Sequence, residues 1–242
     1  MPSVSVPFLG VPSPATGTPF EHFIAPKTIS ALFAIRVSAI DPKLGALLLR
    51  CATDRRGFRC QQSLVCARCA PRASKKQRKA LESRLMDLPS GTRLVLVTLT
   101  ANAPDIVAGR TALLEAFAML RRRECWSAVV VGGRGQIEVV PSPGGTWHVH
   151  LHALAELRAG RRMARTAVDA AWRRLLPSGI AGKVDLRPVT RTWADASRAF
   201  SPPAFYCIKR GRSAWLDYSD NELRALVDAL PRRRWSVRWG RQ

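Results

Sequence analysis

Acidic residues are scarce in this chain: 17 Asp and Glu stand against 39 Lys and Arg among 242 residues, a net charge of +22. The excess is not confined to a tail, since Arg50 to Arg93 alone carries 12 basic and 3 acidic residues. Positive charge spread this way repels itself unless a polyanion is the working partner, and nucleic acid is the usual one. No stretch approaches the ~20 apolar residues of a membrane span. The opening segment from Met1 to Pro19 has no basic start and is broken by Pro2, Pro7, Pro12 and Pro14, which excludes a secretory signal there. Internal repeats are absent. Six cysteines without a secretory signal point to a reducing, cytoplasmic setting, where clustered thiols bind metal more often than they pair. Hydrophobic residues make up 47% of the chain, enough for a core and too many for global disorder.

Punctuation and periodicity divide the chain into three parts. Residues 1–45 read as an N-terminal leader, partly disordered, with an apolar stretch from Ile29 to Leu49 of undetermined element type. Residues 46–90 hold a Cys-rich basic segment and a helix from Lys75 to Asp87 capped by Ser74. Residues 91–242 follow as the main domain. There Arg93 to Thr100 is a buried strand, and Asp105 caps a helix running to about Glu124. Strands at about Ala128–Val140 and Thr146–Leu157 flank Pro141-Ser142-Pro143-Gly144-Gly145, a hairpin signal. A helix over Arg162–Leu176, a strand near Lys183–Val189 and a helix through Phe205–Arg210 complete it. This order predicts an α+β domain, an antiparallel sheet with helices packed on it. The last residues form a basic tail, in which Trp235 and Trp239 are either base-stacking or docked on the domain.

Only four histidines are present, and three of them fall in Trp147-His148-Val149-His150-Leu151-His152. On a strand, alternate side chains share a face, so the three imidazoles project together. Neighbours about 6–7 Å apart can converge on one ion, but the outer two cannot, so the metal pair is His148/His150 or His150/His152. A turn near Pro143 or Gly144 sets Glu138 opposite His148 or His150, within reach of the pair. Two imidazoles and a carboxylate leave coordination positions open and suit Mg²⁺ or Mn²⁺ at a phosphoester.

Cys51, Cys60, Cys66 and Cys69 are spaced C-x8-C-x5-C-x2-C, and the last two have the spacing of a chelating knuckle. Four thiolates make a closed tetrahedral zinc site of structural type. Arg55, Arg56, Arg59, Arg68 and Arg72, interleaved with them, would present a basic surface to DNA phosphates.

Three motifs occur in order behind this cluster: Val97-Thr98-Leu99-Thr100 at a strand end, Glu138 followed by the histidine strand, and Tyr206-Cys207-Ile208-Lys209. Together they resemble the rolling-circle replication initiators of plasmids, members of the HUH endonuclease superfamily. The resemblance covers roughly residues 50–240. It implies a ferredoxin- or RRM-related fold, with His150 and His152 as the metal pair and Glu138 as the acidic third ligand. Tyr206 would be the nucleophile, with Lys209 as its basic companion and Arg210 beside it for charge stabilisation or a flanking phosphate. It further implies single-stranded or extruded origin DNA as substrate, and a host helicase and polymerase as partners. The residues agree, because of the two tyrosines only Tyr206 has a cation one helical turn later. Ser201-Pro202-Pro203-Ala204-Phe205 lacks the glutamate that some relatives carry before the tyrosine, so termination through that residue is not expected. A relaxase or single-strand transposase would share the chemistry. A zinc-stabilised DNA-binding regulator would explain the charge and the cysteines, but not the His/Glu/Tyr/Lys set.

Overall fold

The computed structural model describes residues 26–54, 58–60, 62, 66, 68, 69, 72, 75, 79, 80, 83–89, 91–142, 144–189, 218–229 and 235–240. Its elements in chain order are α1 (Pro26–Ser38), α2 (Pro42–Thr53), β1 (Arg93–Ala103), α3 (Ile106–Leu120), the single turn α4 (Glu124–Ser127), β2 (Val130–Ser142), β3 (Thr146–Leu157), α5 (Arg165–Leu175), β4 (Ala181–Val189), α6 (Asp220–Ala229) and β5 (Ser236–Gly240). The strands form one antiparallel sheet in the order β4-β1-β3-β2-β5. The α+β class expected from the sequence is the class observed.

Local chemistry explains the boundaries. Asp41 accepts a hydrogen bond from the Leu44 amide at 3.0 Å and Pro42 opens α2, a good N-cap with a proline at the first helical position. Asp105 caps α3 through the Ala108 amide at 2.7 Å. That helix stops at Leu120, and Glu124 starts the separate turn α4. Ser219 and Glu222 close a reciprocal capping box at the start of α6. Between β2 and β3, Gly144 and Gly145 take φ of 85° and 75°, a left-handed conformation that only glycine adopts cheaply.

The two faces of the sheet differ in chemistry. One face carries Val97, Leu99, Ala101, Ile137, Val149, Leu151, Ala153 and Val184, all buried. Helix α3 packs on β1 and β3, and α5 on β4 and α3, while α6 joins α3 to α1. The other face is polar in the middle. Its far end is closed by Leu85 and Leu88 against Leu94, Leu154 and Val189.

The structure redraws three details of the sequence reading. The apolar stretch at Ile29–Leu49 is a helical hairpin, α1 and α2, with Phe33, Ala34, Val37 and Leu48 in the core. A division at 45/46 therefore falls inside α2, and the buried cysteines are continuous with the main core. The C-terminal tail is a fifth strand, and its tryptophans are docked. Trp239 lies 5.2 Å from the Phe117 ring and 6.1 Å from Trp126, and Trp235 is buried beneath Arg110. Trp239 fits because a Cβ at Gly133 would stand 2.5 Å from its ring. Trp235 is buried and Trp239 partly buried, so both pack on the domain. Among the described residues, no helix is long and apolar enough to cross a membrane.

Candidate functional site

The β2–β3 hairpin sets the histidine ladder beside a carboxylate. In register, Glu138 pairs with His150, Gln136 with His152 and Val140 with His148. Glu138 is only 6% exposed, and its Oε2 meets His152 Nε2 directly. A buried carboxylate requires a cation or a strong donor, which an imidazolium or a divalent ion would supply. His148 faces aliphatic Val140 instead. Of the two pairs left open by strand spacing, His150/His152 is the one with the carboxylate.

On the other side, β1 holds every imidazole by Nδ1. Thr98 Oγ1 lies 3.1 Å from His152 Nδ1, and Thr100 Oγ1 lies 2.9 Å from His150 Nδ1. Asn102 Oδ1 lies 2.5 Å from His148 Nδ1 and, being an acceptor, assigns that nitrogen the proton. The rings stack at 5.8 and 5.9 Å between centroids. Engaging Nδ1 fixes each ring's orientation and leaves Nε2 as the ligating nitrogen, the usual device behind a metal-binding histidine. Burial pushes His150 down to about 4, against the smaller opposing effect of Glu138, so this imidazole is neutral and ligand-competent at pH 7. Glu138 and His152 are in direct contact, but His150, His152 and Glu138 together do not converge within 4.8 Å as the cysteines do.

The holding residues Thr98, Thr100 and Asn102 were missed as such by sequence reasoning, although Thr98 and Thr100 belonged to the first motif. Their signal was parity: polar side chains alternate with Leu99 and Ala101 as the histidines alternate with Val149 and Leu151. Lys183, paired with Thr100 on β4, adds an exposed cation to the same row and was also missed. Replacing Thr100 by Val is expected to weaken Mn²⁺ binding and any metal-dependent activity by roughly 10–100-fold. Titration calorimetry should show this with the fold unchanged.

Neutral His150 also predicts acid sensitivity. Its ordinary value is 6.5 and its folded value about 4, so between these pH values the unfolded chain takes up a proton that the folded chain refuses. Stability from this group is complete above pH 6.5 and falls as the pH drops toward 4, by roughly 3 kcal/mol at most. Denaturant unfolding of metal-free protein at pH 7 and 4.5 should show a smaller loss for His150→Gln than for the native chain.

The second site is the cysteine cluster. Cys51, Cys60, Cys66 and Cys69 are buried with their sulfurs mutually within 4.8 Å, the one such group among the described residues. Nearest sulfurs stand 3.6 Å (Cys51–Cys69 and Cys60–Cys69) and 3.7 Å (Cys51–Cys66) apart. A tetrahedron with Zn–S arms of 2.3 Å has edges of ~3.8 Å, so this group can hold a structural metal such as zinc.

The surrounding arginines have differing tasks. Arg68 donates from Nη1 to the carbonyls of Cys51 (2.5 Å) and Asp54 (2.7 Å), tying the knuckle to the end of α2. Arg59 donates to the Phe58 carbonyl at 3.0 Å. Arg72 is exposed. Arg55, Arg56 and Arg210 lie outside the described residues, as do Tyr206, Cys207 and Lys209. Tyr218, the other tyrosine, is buried with its ring 6.5 Å from Trp147.

No family model matches the chain, and neither a curated protein nor a solved structure does. Function is therefore read from the residues themselves.

Proposed function

We propose that this chain is a DNA nicking and joining enzyme of the HUH type that starts rolling-circle replication of a plasmid or similar element. The observation that carries the reading is the placement of His150, His152 and buried Glu138 on one sheet face, with Glu138 against His152 and Nδ1 of both histidines beside a threonine hydroxyl. His150, His152 and Glu138 would hold Mg²⁺ or Mn²⁺, which supplies positive charge at a phosphodiester oxygen and makes phosphorus more electrophilic.

The protein's own groups do the rest. Thr98 and Thr100 hold the imidazole rings in place through Nδ1. Tyr206 attacks phosphorus in line, and the P–O3′ bond breaks. The phenolic proton leaves overall with the 3′ oxygen, so the products are a 5′-phosphotyrosine and a free 3′-OH. Phenol's ordinary value of about 10 makes phenolate a moderate leaving group, so a later 3′-OH can reverse the linkage and rejoin strands. Lys209, with Arg210, stabilises negative charge that develops during attack. Origin DNA, single-stranded or extruded, is the substrate, and a host helicase and polymerase extend the product. A relaxase or single-strand transposase would use the same steps.

A second reading has its own observation: the cysteines are the one tightly convergent ligand group among the described residues. In that reading the protein is a zinc-stabilised DNA-binding regulator without chemistry. One assay separates the two. Native protein and Tyr206→Phe are mixed with single-stranded DNA covering the chain's own replicon, with Mn²⁺ or with chelator. An SDS-resistant protein–DNA band requiring both metal and Tyr206 is expected. A band that survives Tyr206→Phe moves the nucleophile elsewhere, and tight binding without any band leaves the regulator.

A further inference from the structure

The polar face of the sheet continues past the histidines into a second cationic group. Along β2 the same-face series runs Glu138, Gln136, Arg134, which places Arg134 about 13 Å from Glu138. Directly opposite Arg134 on β5 is Arg238. Like charges facing each other across neighbouring strands are destabilising. The nearby carboxylate does not resolve the conflict. Glu156 gives both oxygens to Arg84, with Nε–Oε1 at 2.9 Å and Nη2–Oε2 at 2.8 Å. That carboxylate is thus engaged by Arg84, and among the described residues no hydrogen bond or ion pair holds Arg134. Burial, with Arg238 and Arg84 close by, holds the Arg134 guanidinium below the ordinary arginine range, while Glu156 acts the other way.

The docked tryptophans explain why this arrangement is fixed. Trp239 sits on the opposite face of β5, against Phe117 and Trp126, so Arg238 is committed to the polar face. Beside Arg134, Leu154 and Leu96 continue the row across β3 and β1 to Arg187 on β4. The apolar middle of that row is covered by Leu85 and Leu88, and Arg187 is paired with Asp185 at 2.7 Å, so the open cationic margin is the β2–β5 edge, where Arg238 is exposed.

We propose that Arg134 and Arg238 form a binding site for a backbone phosphate of a single-stranded nucleic acid, one that runs along β2 from the Glu138 site. The ligand's identity rests on the nicking reading, whereas the site itself stands on the paired, under-compensated arginines. Its phosphate is that of a neighbouring nucleotide, because the two sites are too far apart to share one.

The test uses the full chain with no added Mg²⁺ or Mn²⁺ and no chelator, and carries Tyr206→Phe throughout, so that the nicking chemistry is silent and the cysteine site is left intact. Binding of a short mixed-sequence single-stranded oligonucleotide is followed by fluorescence anisotropy across a salt series. The variants are Arg134→Gln, Arg238→Gln and the double variant, with Arg134→Lys retaining charge but losing the guanidinium fork. The double variant is expected to bind about tenfold more weakly or worse. Its log K against log salt slope should flatten by roughly 0.7 for each phosphate that the protein no longer neutralises. Because the pair is repulsive, melting temperatures of the Gln variants should hold or rise, and Arg134→Lys should recover the salt slope. Unchanged affinity in the double variant overturns the site while leaving the nicking reading intact. Lowered melting temperature with unchanged affinity makes the arginines structural and also overturns it. Equal binding of poly-glutamate, lost equally in the double variant, overturns the nucleic-acid assignment. Loss of oligonucleotide affinity, when the native chain forms no phosphotyrosine, supports the site and removes only the enzyme.

Discussion

Removing one thiol from the cysteine cluster is expected to empty a structural metal site and lower the melting temperature by ten degrees or more, an effect of several kcal/mol. Cys69 is the most informative target, since its sulfur lies 3.6 Å from both Cys51 and Cys60. The physical reason is a charge problem. Cys66 is pushed down to about 5 by a hydrogen bond from the Cys60 thiol, helped by the amides of Cys69 and Arg68 and by Cys51. The same interaction and burial push Cys60 up. Metal-free, the cluster favours one thiolate and opposes the next. A dication reverses this by taking all four as thiolates, so its binding energy is folding energy. Native protein is expected to carry about one zinc per chain by elemental mass spectrometry. Cys69→Ser should carry none, while Cys125→Ser should keep the metal. A native chain that retains its melting temperature in reductant and chelator would show that the four sulfurs need no ion.

The second large effect concerns the sheet face. Glu138→Ala or His150→Ala is expected to reduce adduct formation well beyond the roughly 10–100-fold of an orienting neighbour, because each removes a ligand rather than its support. His148→Ala should change it only a few-fold or less, since that ring is opposite Val140 and Glu138 turns to His152 instead. Mn²⁺ titration of these three variants and of His152→Ala checks this without any DNA. If His148→Ala abolishes binding and His152→Ala does not, the pair is His148/His150 and the assignment fails. Stability works in the opposite direction for Glu138, because removing a buried carboxylate relieves a desolvation cost in metal-free protein.

The two sites were legible for different reasons. The histidine strand announced itself because alternation places residues two apart on one face whatever the rest of the fold does. The hairpin signal at Pro141–Gly145 then limited the register, and Glu138 opposite His150 was one of its two solutions. The cysteine spacing carried its chelating knuckle openly. By contrast, β1 as the partner that holds Nδ1 could not be read from the histidines' own neighbourhood. Thr98, Thr100 and Asn102 are about fifty residues away in sequence, and only strand order brings them adjacent. The helical hairpin α1–α2 and strand β5 were obscured by composition. The first is apolar without clean amphipathic spacing, and the second is only five residues long and follows a run of arginines.

The sequence by itself determined the excess of positive charge, the antiparallel α+β class, the shared face of the histidines and the four candidate thiols. These depend on composition, on periodicity and on spacing within a few residues, all of which are local. Only the tertiary structure decided which histidine meets Glu138, that threonines hold the rings, that Trp235 and Trp239 are docked, and that Arg134 faces Arg238. Each of these depends on strand order and register. Register is fixed where one face is buried, because a slip of a single residue would turn Leu151 out and the histidines into the core.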